Sequence, residues 1–489
     1  PAFTLEHVLI DMSEIIEFYR GKNILITGGA GFLGRLLMER LLRICEVGQI
    51  FIIVRDKNGL KAEDRHDSIF NTPVFDRLRQ LKPSFLDSVT LVKGDIGLPG
   101  LGLSDSLRAI LVEKIDVVFH SAATVSFDEP IRRATMINVR GTREMVLLCR
   151  EMNNLKALIH VSTAYSNFRN SEIDEEFYDP PLTADELIYL CERMGDGDLS
   201  ITTKKFLEGW PNTYVFTKCV AEEAIKAYAA GIPTCIFRPA VIICTKREPM
   251  EGWIDNYNGP SGLISLVESG FARVARADPI SNADLVPADM CVNVIMSAGQ
   301  KVGTLGFDGE IKIFNFASSS RNSITWGNFT RYFVEAGKHL PSDKAVWCPG
   351  LILLKSKLLY SLVSFIYHII PAFLVDMCLL ICHRRPRALK LSRKVSKFLH
   401  LISDFSCKSW RFSNDNLTAL WKGLSPTDKV LFDFDLEKID WKEMITVKVR
   451  GVRKYLLKEH ERTIPSAQKR RFWSSGRPNS SRNPDSFDD

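Results

Sequence analysis

The chain has 489 residues, 45% of them hydrophobic and 25% charged, which is enough apolar material for more than one globular domain and excludes a disordered protein. Its 64 basic and 58 acidic residues leave a net charge of +6, without a long basic arm in the first 340 residues, which argues against a nucleic-acid partner. The 11 cysteines form no C-x-x-C pair and no cluster with histidine, so we expect reduced thiols and no metal site.

A glycine-rich segment, ITGGAGFLG, follows the first predicted strand (Asn23–Thr27) and leads into a predicted helix. Gly28, Gly31 and Gly34 have the spacing G-x-x-G-x-x-G, which lets a strand turn tightly and brings the backbone close to a pyrophosphate. The N-terminus of the helix would bind phosphate through its free N–H groups and its dipole. The pattern predicts a dinucleotide site, and a tight turn without a ligand is the alternative.

Between residue 22 and about residue 300, short apolar runs alternate with amphipathic stretches, the pattern of a parallel sheet covered by helices. We therefore predict an α/β fold, a doubly wound Rossmann-type parallel sheet with a smaller, mainly helical C-terminal domain. The predicted strands after the first are Gln49–Val54, Ser88–Gly94, Asp116–Ala122, Ala157–Thr163 and Thr234–Ala240.

An acidic, proline-containing insertion, Phe168–Pro211, interrupts this alternation. Connections of this length inside a compact domain usually shape a binding site or a lid, so we expect the insertion on the substrate side.

The segment Leu358–Val375 holds eighteen residues without a formal charge. As a helix it would reach roughly 27 Å, at the lower limit of the hydrocarbon thickness of a bilayer. His368 and Pro371 weaken the prediction of a simple spanning helix. A membrane span, a membrane-dipping element and an element buried in the protein therefore remain open.

A basic stretch, Arg384–Arg411, follows with nine basic residues against the single acid Asp404. An apolar segment beside a basic one suits contact with the cytosolic leaflet, because lysine and arginine are attracted to anionic headgroups. A solvated basic helix face is the alternative.

The predicted organisation of the whole chain is an N-terminal extension (1–21), a dinucleotide-binding domain (22–300) with the insertion at 168–211, a connecting, substrate-side segment (301–345), a hydrophobic membrane-associated element (346–383), a helical C-terminal domain (384–462) and a disordered tail (463–489).

The predicted strand Ala157–Thr163 ends in Ser162 and Thr163, and Tyr214 and Lys218 stand one helical turn apart further along the chain. We expect the Lys218 ammonium to favour the ionised phenol of Tyr214 and so bring the pKa of Tyr214 closer to neutrality. A hydroxyl at the strand end could add a second hydrogen bond to a reacting carbonyl oxygen. On its own, a tyrosine and a lysine four residues apart are common on helices.

Taken together, these motifs resemble an extended short-chain dehydrogenase/reductase, and within that superfamily the animal-type fatty acyl-CoA reductases with an additional C-terminal domain. The N-terminal motifs fit many reductases and sugar epimerases, and the C-terminal ones narrow the choice. The motifs are TGGAGFLG, VRDKNG, HSAATVSFDE, NVRGT, HVSTAYSN, PNTYVFTK and FRPAVI in the N-terminal part, and YHIIPAFLVD, WRFSNDN, LSPTDKVLFDFDLEKIDW and GVRKYLLKE in the C-terminal part.

The resemblance implies that Tyr214 is the general acid, that Lys218 is its electrostatic partner and a ribose ligand, and that Thr163, or otherwise Ser162, is the second oxyanion donor. Arg55 would receive the extra phosphate of NADPH, although Asp56 beside it keeps NADH open. The implied cofactor-binding residues are Thr27, Gly28, Gly31, Phe32, Leu33, Gly34, Arg55, Asp95, Ile96, Ala122, Ala123, Asn138, Lys218 and Pro239.

The implied reaction is the NADPH-dependent reduction of long-chain fatty acyl-CoA to a primary fatty alcohol through an aldehyde, with release of CoA. It needs no cysteine nucleophile, and Cys219 is interpreted as packing because it points about 100° away from Lys218 around the helix. A hydroxysteroid or nucleotide-sugar dehydrogenase or epimerase is the first alternative, and a non-catalytic membrane-associated nucleotide-binding protein is the second. The resemblance also implies a membrane lipid surface as partner, a possible homodimer, and a cytosol-facing location at the endoplasmic reticulum rather than the peroxisome.

Overall fold

The computed structural model describes residues 12–57 and 59–475, and the chain forms two compact units. The first unit contains the described residues up to Ile254 together with Asn282–Ile324 and Lys408–Asp440. The second contains Asp255–Ser281, Thr325–Cys407 and the described residues from Trp441 onward. Each unit is therefore built from segments that are separated in the sequence.

The first unit is organised around a seven-stranded parallel sheet. In chain order the strands of the described chain are β1 (Ile24–Thr27), β2 (Ile50–Val54), β3 (Val89–Lys93), β4 (Val117–His120), β5 (Ala157–Val161), β6 (Glu172–Ile173), β7 (Thr234–Pro239), β8 (Val241–Ile243), β9 (Val274–Arg276), β10 (Leu285–Pro287), β11 (Lys312–Phe316), β12 (Ile352–Leu354) and β13 (Arg411–Phe412). The strand order in the sheet is β11-β7-β5-β4-β1-β2-β3. The order reverses direction beside β1, which makes the sheet doubly wound.

Helices make up most of the remaining described chain. Turns of π-helix occur at Met136–Arg140, Phe365–Ile369 and Val452–Leu456. The α-helices are α1 (Glu14–Tyr19), α2 (Phe32–Ile44), α3 (His66–Phe70), α4 (Asp76–Leu81), α5 (Asp105–Lys114), α6 (Ile131–Thr135), α7 (Gly141–Glu151), α8 (Ala184–Arg193), α9 (Asp196–Phe206), α10 (Thr213–Tyr228), α11 (Gly259–Glu268), α12 (Ala288–Leu305), α13 (Trp326–His339), α14 (Lys357–Ser364), α15 (Ile370–Ile381), α16 (Ala388–Ser406), α17 (Asp415–Gly423), α18 (Pro426–Leu431), α19 (Trp441–Gly451) and α20 (Ile464–Ser475).

The central strands are buried along their whole length because helices cover both faces of the sheet. Every residue of β1, β2, β4, β5 and β7 is buried. One core cluster joins Leu25, Val118, Leu158 and Ile236 from four of these strands. Most of these buried residues are apolar, and Thr27 and His120, two of the polar ones, are the last residues of β1 and β4, at the carboxyl edge of the sheet.

All six predicted strands are present, with ends that differ from the prediction by two residues or fewer. The seventh strand, β11, was missed because it lies in the segment 301–345, which was predicted to be a connection. It pairs with β7 at the edge of the sheet. Its apolar run is short, with Asn315 inside it, so the pattern was weaker than in the central strands.

The two compact units divide the chain differently from the predicted linear series of domains. Residues 408–440 belong to the first unit, where β13 pairs in parallel with β6 of the insertion, instead of forming part of a separate domain over 384–462. Residues 255–281, predicted within 22–300, belong to the second unit. Sequence periodicity reports local structure, and it does not tell which distant element a segment packs against.

The two predicted terminal segments also contain ordered helix. Helix α1 lies within the predicted extension 1–21, and Ile15, Ile16 and Tyr19 are buried, with the Tyr19 hydroxyl donating to the Met296 carbonyl at 2.8 Å. Helix α20 occupies the start of the tail that was predicted to be disordered from residue 463. The rest of both predictions, residues 1–11 and 476–489, lies outside the described residues.

The described part of the second unit is mainly helical, as predicted, and contains a parallel pair of short strands, β9 and β12. Helix α14, the π-turn Phe365–Ile369 and α15 run together as one apolar helix from Lys357 to Ile381, which is 25 residues long and so long enough to cross a bilayer. Helix α16 follows after a short basic turn.

Candidate active site

The glycine loop lies between the end of β1 and the start of α2, and its shape depends on missing side chains. Gly28 has a φ of 76°, in the left-handed region that favours glycine. A Cβ on Gly28 would stand 2.9 Å from the Ala122 nitrogen at the end of β4, and a Cβ on Gly34 would overlap the Gly28 carbonyl oxygen. Gly31 begins α2 as its N-cap. This cradle, open at a helix N-terminus, fits the pyrophosphate of a dinucleotide.

Phe32, Leu33 and Thr27 flank the loop. Phe32 stacks on the buried ring of Trp253, with ring centroids 5.0 Å apart, and Leu33 is partly exposed beside it. The Thr27 hydroxyl is buried, contacts His120 Nδ1 at 2.8 Å and accepts from the Ala122 nitrogen at 3.2 Å. Thr27 therefore holds the ends of β1 and β4 together, and its contact with a cofactor stays a prediction.

Three arginines gather near the end of β2. Arg55 Nη1 lies 3.3 Å from the Asp95 carboxylate, and Arg65 Nη1 donates to the Arg55 carbonyl at 2.8 Å. Burial, followed by repulsion from Arg55 and Arg35, lowers the pKa of Arg65. Only Arg55 was predicted, although Arg35 directly follows Gly34 in the sequence. A cluster of like charges on partly exposed side chains fits an anionic group.

Asp95, Ile96, Ala123 and Pro239 stand at or just beyond the carboxyl ends of their strands. Asp95 also accepts from the Gly97 nitrogen at 2.9 Å, and Ile96 packs against the core cluster. Ala123 is partly buried beyond β4, and Pro239 is the buried last residue of β7. The structure brings these residues to the same edge of the sheet as the glycine loop, which is compatible with the predicted roles.

Asn138 lies in the π-turn between α6 and α7 and is fully buried. Its side chain accepts from the Thr124 nitrogen at 2.9 Å and donates to the Thr124 carbonyl at 3.2 Å and to Thr217 Oγ1 at 2.9 Å. Asn138 therefore joins the loop after β4 to helix α10. Direct contact with a cofactor stays a prediction.

Tyr214 and Lys218 lie on one helix, and Thr163, which the resemblance implied, lies near Tyr214. Tyr214 and Lys218 lie on α10, which begins at Asn212, whose side chain accepts from the Val215 nitrogen at 3.0 Å. A side-chain hydrogen bond joins Tyr214 to Thr163, just past the end of β5. Lys218 is buried, and its Nζ donates to the Val161 carbonyl at 2.7 Å. The hydroxyl pair and the ammonium therefore meet at the carboxyl edge.

The predicted effect of Lys218 on Tyr214 was wrong. Burial raises the pKa of Tyr214 to about 12, and the hydrogen bond from Thr163 offsets this only in part. The ammonium of Lys218 hydrogen-bonds to the Val161 carbonyl, and burial lowers the pKa of Lys218 to about 8 against the opposing influence of Glu222. Tyr214 is thus a neutral phenol that can donate a proton.

Ser162 is used elsewhere, which leaves Thr163 as the hydroxyl available to a reacting oxygen. The Ser162 hydroxyl donates to the Glu222 carboxylate, which also forms a buried ion pair with Arg238 at 2.6 Å. Neither Glu222 nor Arg238 was predicted. Cys219 is buried with its thiol 3.4 Å from Asn167 Oδ1, and burial raises the pKa of that thiol, in agreement with the packing role expected for it.

Two buried histidines, His120 and His160, were also missed. Their rings stack with centroids 5.4 Å apart at the adjacent ends of β4 and β5. Burial and the nearby Lys218 charge lower the pKa of His120 to about 3 and that of His160 well below its usual value. Both rings are therefore neutral, and they line the site beside Lys218 without adding charge.

Across residues 12–57 and 59–475, no group of three or more His, Cys, Asp and Glu side chains is arranged to hold a metal ion. All 11 cysteines are free thiols.

The arrangement matches known families at both ends of the chain. Two family models, both described as male sterility protein, match residues 26–295 and residues 367–459, and the first is an NAD-binding model. The first unit is accordingly a nicotinamide-dinucleotide-binding domain.

Similar proteins and structures agree with this assignment. Fatty acyl-CoA reductase wat of Drosophila melanogaster is 38% identical over 94% of this chain and 89% of its own length. Fatty acyl-CoA reductase 1 of Mus musculus is 37% identical with the same coverage. The terminal reductase domain of the myxalamid biosynthetic pathway shares the fold, with a TM-score of 0.60 at 20% identity over 88% of this chain and 90% of that one. The chain belongs to the fatty acyl-CoA reductase family of oxidoreductases.

Proposed function

We propose that this protein reduces long-chain fatty acyl-CoA to a primary fatty alcohol through an aldehyde, using NADPH and releasing CoA. The observation that carries the proposal is the Tyr214–Thr163 hydroxyl pair beside the buried Lys218, at the sheet edge that also carries the glycine loop. That combination supplies oxyanion stabilisation and a proton next to a dinucleotide site, which is what carbonyl reduction requires.

The cofactor would lie with its pyrophosphate on the loop Gly28–Gly34 and its nicotinamide near Tyr214 and Lys218. NADPH supplies a hydride when bound. The preference for NADPH over NADH is supported by the cluster of Arg35, Arg55 and Arg65, because a phosphate on the adenosine ribose would be drawn to three guanidinium groups. In this arrangement the phosphate would compete with Asp95 for Arg55.

In the first reduction, the hydroxyls of Thr163 and Tyr214 hydrogen-bond to the thioester carbonyl oxygen and stabilise the negative charge that develops there. Collapse of this tetrahedral oxyanion breaks the C–S bond, re-forms the carbonyl as an aldehyde and releases CoA as a thiolate. No protein nucleophile takes part in this step, which is consistent with the buried, unreactive thiol of Cys219.

In the second reduction, the aldehyde oxygen becomes an alkoxide held by the same two hydroxyls. Tyr214 transfers its proton to that oxygen, and the primary alcohol leaves. Lys218 carries its charge below a pH of about 8, the value of its pKa, and would bind the cofactor ribose, as the family resemblance implies. Solvent then returns the proton to Tyr214. Two reductant equivalents are used for each alcohol formed.

Purified protein, acyl-CoA substrates of graded chain length and either NADPH or NADH test this proposal directly. We expect alcohol and CoA as products, with NADPH used more efficiently than NADH. Activity on a hydroxysteroid or a nucleotide sugar, with none on any acyl-CoA, would contradict it.

The variant Arg55→Gln should raise the KM for NADPH by about tenfold, the size of one lost charged hydrogen bond, and leave the KM for NADH nearly unchanged. Arg79→Gln is the matched control, because Arg79 pairs with Asp76 on the surface and belongs to no predicted site. Equal effects of Arg55→Gln on both cofactors would remove the argument for NADPH.

We further propose that the protein acts on the cytosolic side of the endoplasmic reticulum and can form a homodimer. The family resemblance supports the endoplasmic reticulum, and the free thiols support its cytosolic side, where thiols stay reduced. Cell fractionation with markers for the endoplasmic reticulum and the peroxisome, and sedimentation of the purified protein, test the two statements.

A further inference from the structure

The helix Lys357–Ile381 of the second unit exposes apolar side chains and buries polar ones, the reverse of an ordinary surface helix. Only 17% of its most apolar 18-residue stretch is buried, so its large apolar side chains face away from the protein. Leu358 and Ile381, at opposite ends, are 83% and 74% exposed, and Leu362, Phe365, Phe373 and Leu374 between them are at least half exposed. Apolar patches of this extent on a protein surface mark interaction sites.

The buried side of the same helix is a stripe of small or polar residues, Ser364, His368, Ala372 and Asp376. They recur every four residues and so share one face. His368 Nε2 accepts from the Arg273 nitrogen at 3.0 Å, and its Nδ1 lies 3.1 Å from the Ser364 hydroxyl. The helix is thus attached to its own unit through polar contacts in its middle.

Asp376 attaches the C-terminal half of the helix to α16. Its carboxylate accepts from the backbone nitrogens of Arg387, Ala388 and Leu389 at 2.7, 2.8 and 2.9 Å, which satisfies the free N–H groups at the start of α16. The helix therefore ends in a hairpin that turns back on itself. Extraction of this helix into a bilayer core would leave His368 and Asp376 without these partners, in a solvent that offers none.

Positive charge lies beside the exposed apolar face. The hairpin turn carries Arg384 and Arg385, and α16 exposes Lys390, Arg393 and Lys394. In the part of the chain that the structure describes, these five side chains form no ion pair with an acidic residue. A second copy of this chain would present the same positive charge and be repelled, whereas anionic lipid headgroups would be attracted.

We propose that the helix Lys357–Ile381 is an in-plane membrane-docking element that inserts its apolar face into one anionic leaflet without crossing the bilayer. In this position the polar stripe keeps its contacts with the second unit, and the basic hairpin, Arg384 to Lys394, contacts lipid phosphates. The three possibilities left open by the sequence are thereby reduced to one, the membrane-dipping element. The proposal does not depend on which carbonyl compound the first unit reduces.

Vesicle flotation of the purified full-length protein tests the docking. We expect the protein to float with vesicles of phosphatidylcholine and phosphatidylserine and to float less with phosphatidylcholine alone. The triple variant L362Q/F373Q/L374Q should lose most of this binding. The matched control Y189Q/I201Q/V430Q changes three exposed apolar residues of the first unit and should bind like the wild type. The double variant R384E/R385E should weaken binding to anionic vesicles by at least about tenfold.

Labelling of the two helix ends distinguishes docking from spanning. A cysteine introduced as K357C and the native, exposed Cys382 should both react with a membrane-impermeant maleimide added on the same side as the protein. Protection of one end only would show a span and overturn the proposal. Equal flotation of the wild type and the L362Q/F373Q/L374Q variant, with both folded by circular dichroism, would also overturn it. A third contradicting result would be a wild-type dimer that vesicles do not dissociate and that the triple variant no longer forms.

Discussion

The parallel sheet of the first unit and the helix Lys357–Ile381 of the second unit use apolar sequence in opposite ways. The central strands bury every residue and place polar groups just past their ends, where Thr163 meets Tyr214. The helix buries Ser364, His368 and Asp376 and exposes its apolar residues. A mainly apolar run is therefore not by itself a core element, and the position of its few polar residues tells which side faces the protein.

The largest expected effect tests whether the polar edge of the sheet performs the chemistry. Tyr214→Phe removes the proton donor and one oxyanion hydrogen bond, and should lower kcat by roughly 10²- to 10⁴-fold with little change in thermal stability. Tyr228→Phe is the matched control, because Tyr228 is on the same helix and its hydroxyl donates to Asp185 at the surface. Initial rates with an acyl-CoA and NADPH give kcat for the two variants. Comparable losses in the two variants would show that the helix, and not the phenol, is responsible.

The next effect concerns the buried charges behind this edge. Arg238→Met should lower the free energy of unfolding by about 3–5 kcal/mol, because it leaves the Glu222 carboxylate buried without its partner. Arg321→Met breaks the partly exposed pair with Glu437 and should cost less than about 1 kcal/mol. Denaturant unfolding of the wild type and the two variants measures these losses in the free energy of unfolding. Similar values would mean that the Glu222–Arg238 pair is solvated in the native protein.

The pH dependence of the rate tests the charge on Lys218. Since burial lowers the pKa of Lys218 to about 8, the charged form is lost as the pH rises through that value. We expect kcat/KM to fall by about tenfold per pH unit above this point and to be flat just below it. Lys218→Arg, which stays charged, should move the alkaline limit upward if the variant still binds cofactor. A rate that stays constant up to a pH of about 10 would contradict the assignment.

The smallest effect concerns Glu175 in the insertion, which accepts from the backbone nitrogens of Asn315 and Leu417 at 2.9 and 3.3 Å. Burial raises the pKa of Glu175 to about 7, so the folded state holds a proton that the unfolded state has released above its lower, ordinary pKa. Stability from this group is therefore present at acidic pH and is lost as the pH rises toward 7, by on the order of 1 kcal/mol. Unfolding of Glu175→Gln at about pH 5 and pH 8 should show a smaller difference than the wild type. Glu172→Gln, at an exposed position, should behave like the wild type.

Much of the dinucleotide fold could be predicted because its signals are local. The glycine spacing, the six apolar strands and the four-residue separation of Tyr214 and Lys218 each depend on neighbouring residues. The family resemblance extended these signals to Thr163 at the end of β5. The edge strand β11 was missed because a short run with a polar residue inside it has little periodicity.

The contacts that sequence reasoning missed join residues on different structural elements. Arg65 reaches Arg55 across a loop, and Arg238 pairs with Glu222 only because β7 lies beside α10. The pKa of Tyr214 was predicted in the wrong direction because burial, which depends on the whole fold, raises it, and the hydrogen bond from Thr163 opposes burial only in part. The interleaving of the two units has the same origin, since local periodicity carries no information on which unit a segment joins.

The most direct measurement of the central claim is the isotope content of the product formed from a long-chain acyl-CoA with NADPH deuterated at the transferring C4 position. Two successive hydride transfers to the same carbon predict a primary alcohol with two deuterium atoms on C1, and an aldehyde trapped early with one. The Tyr214→Phe variant should form neither product at a comparable rate. A deuterium-free product, or oxidation of NADPH without formation of either compound, would contradict the account.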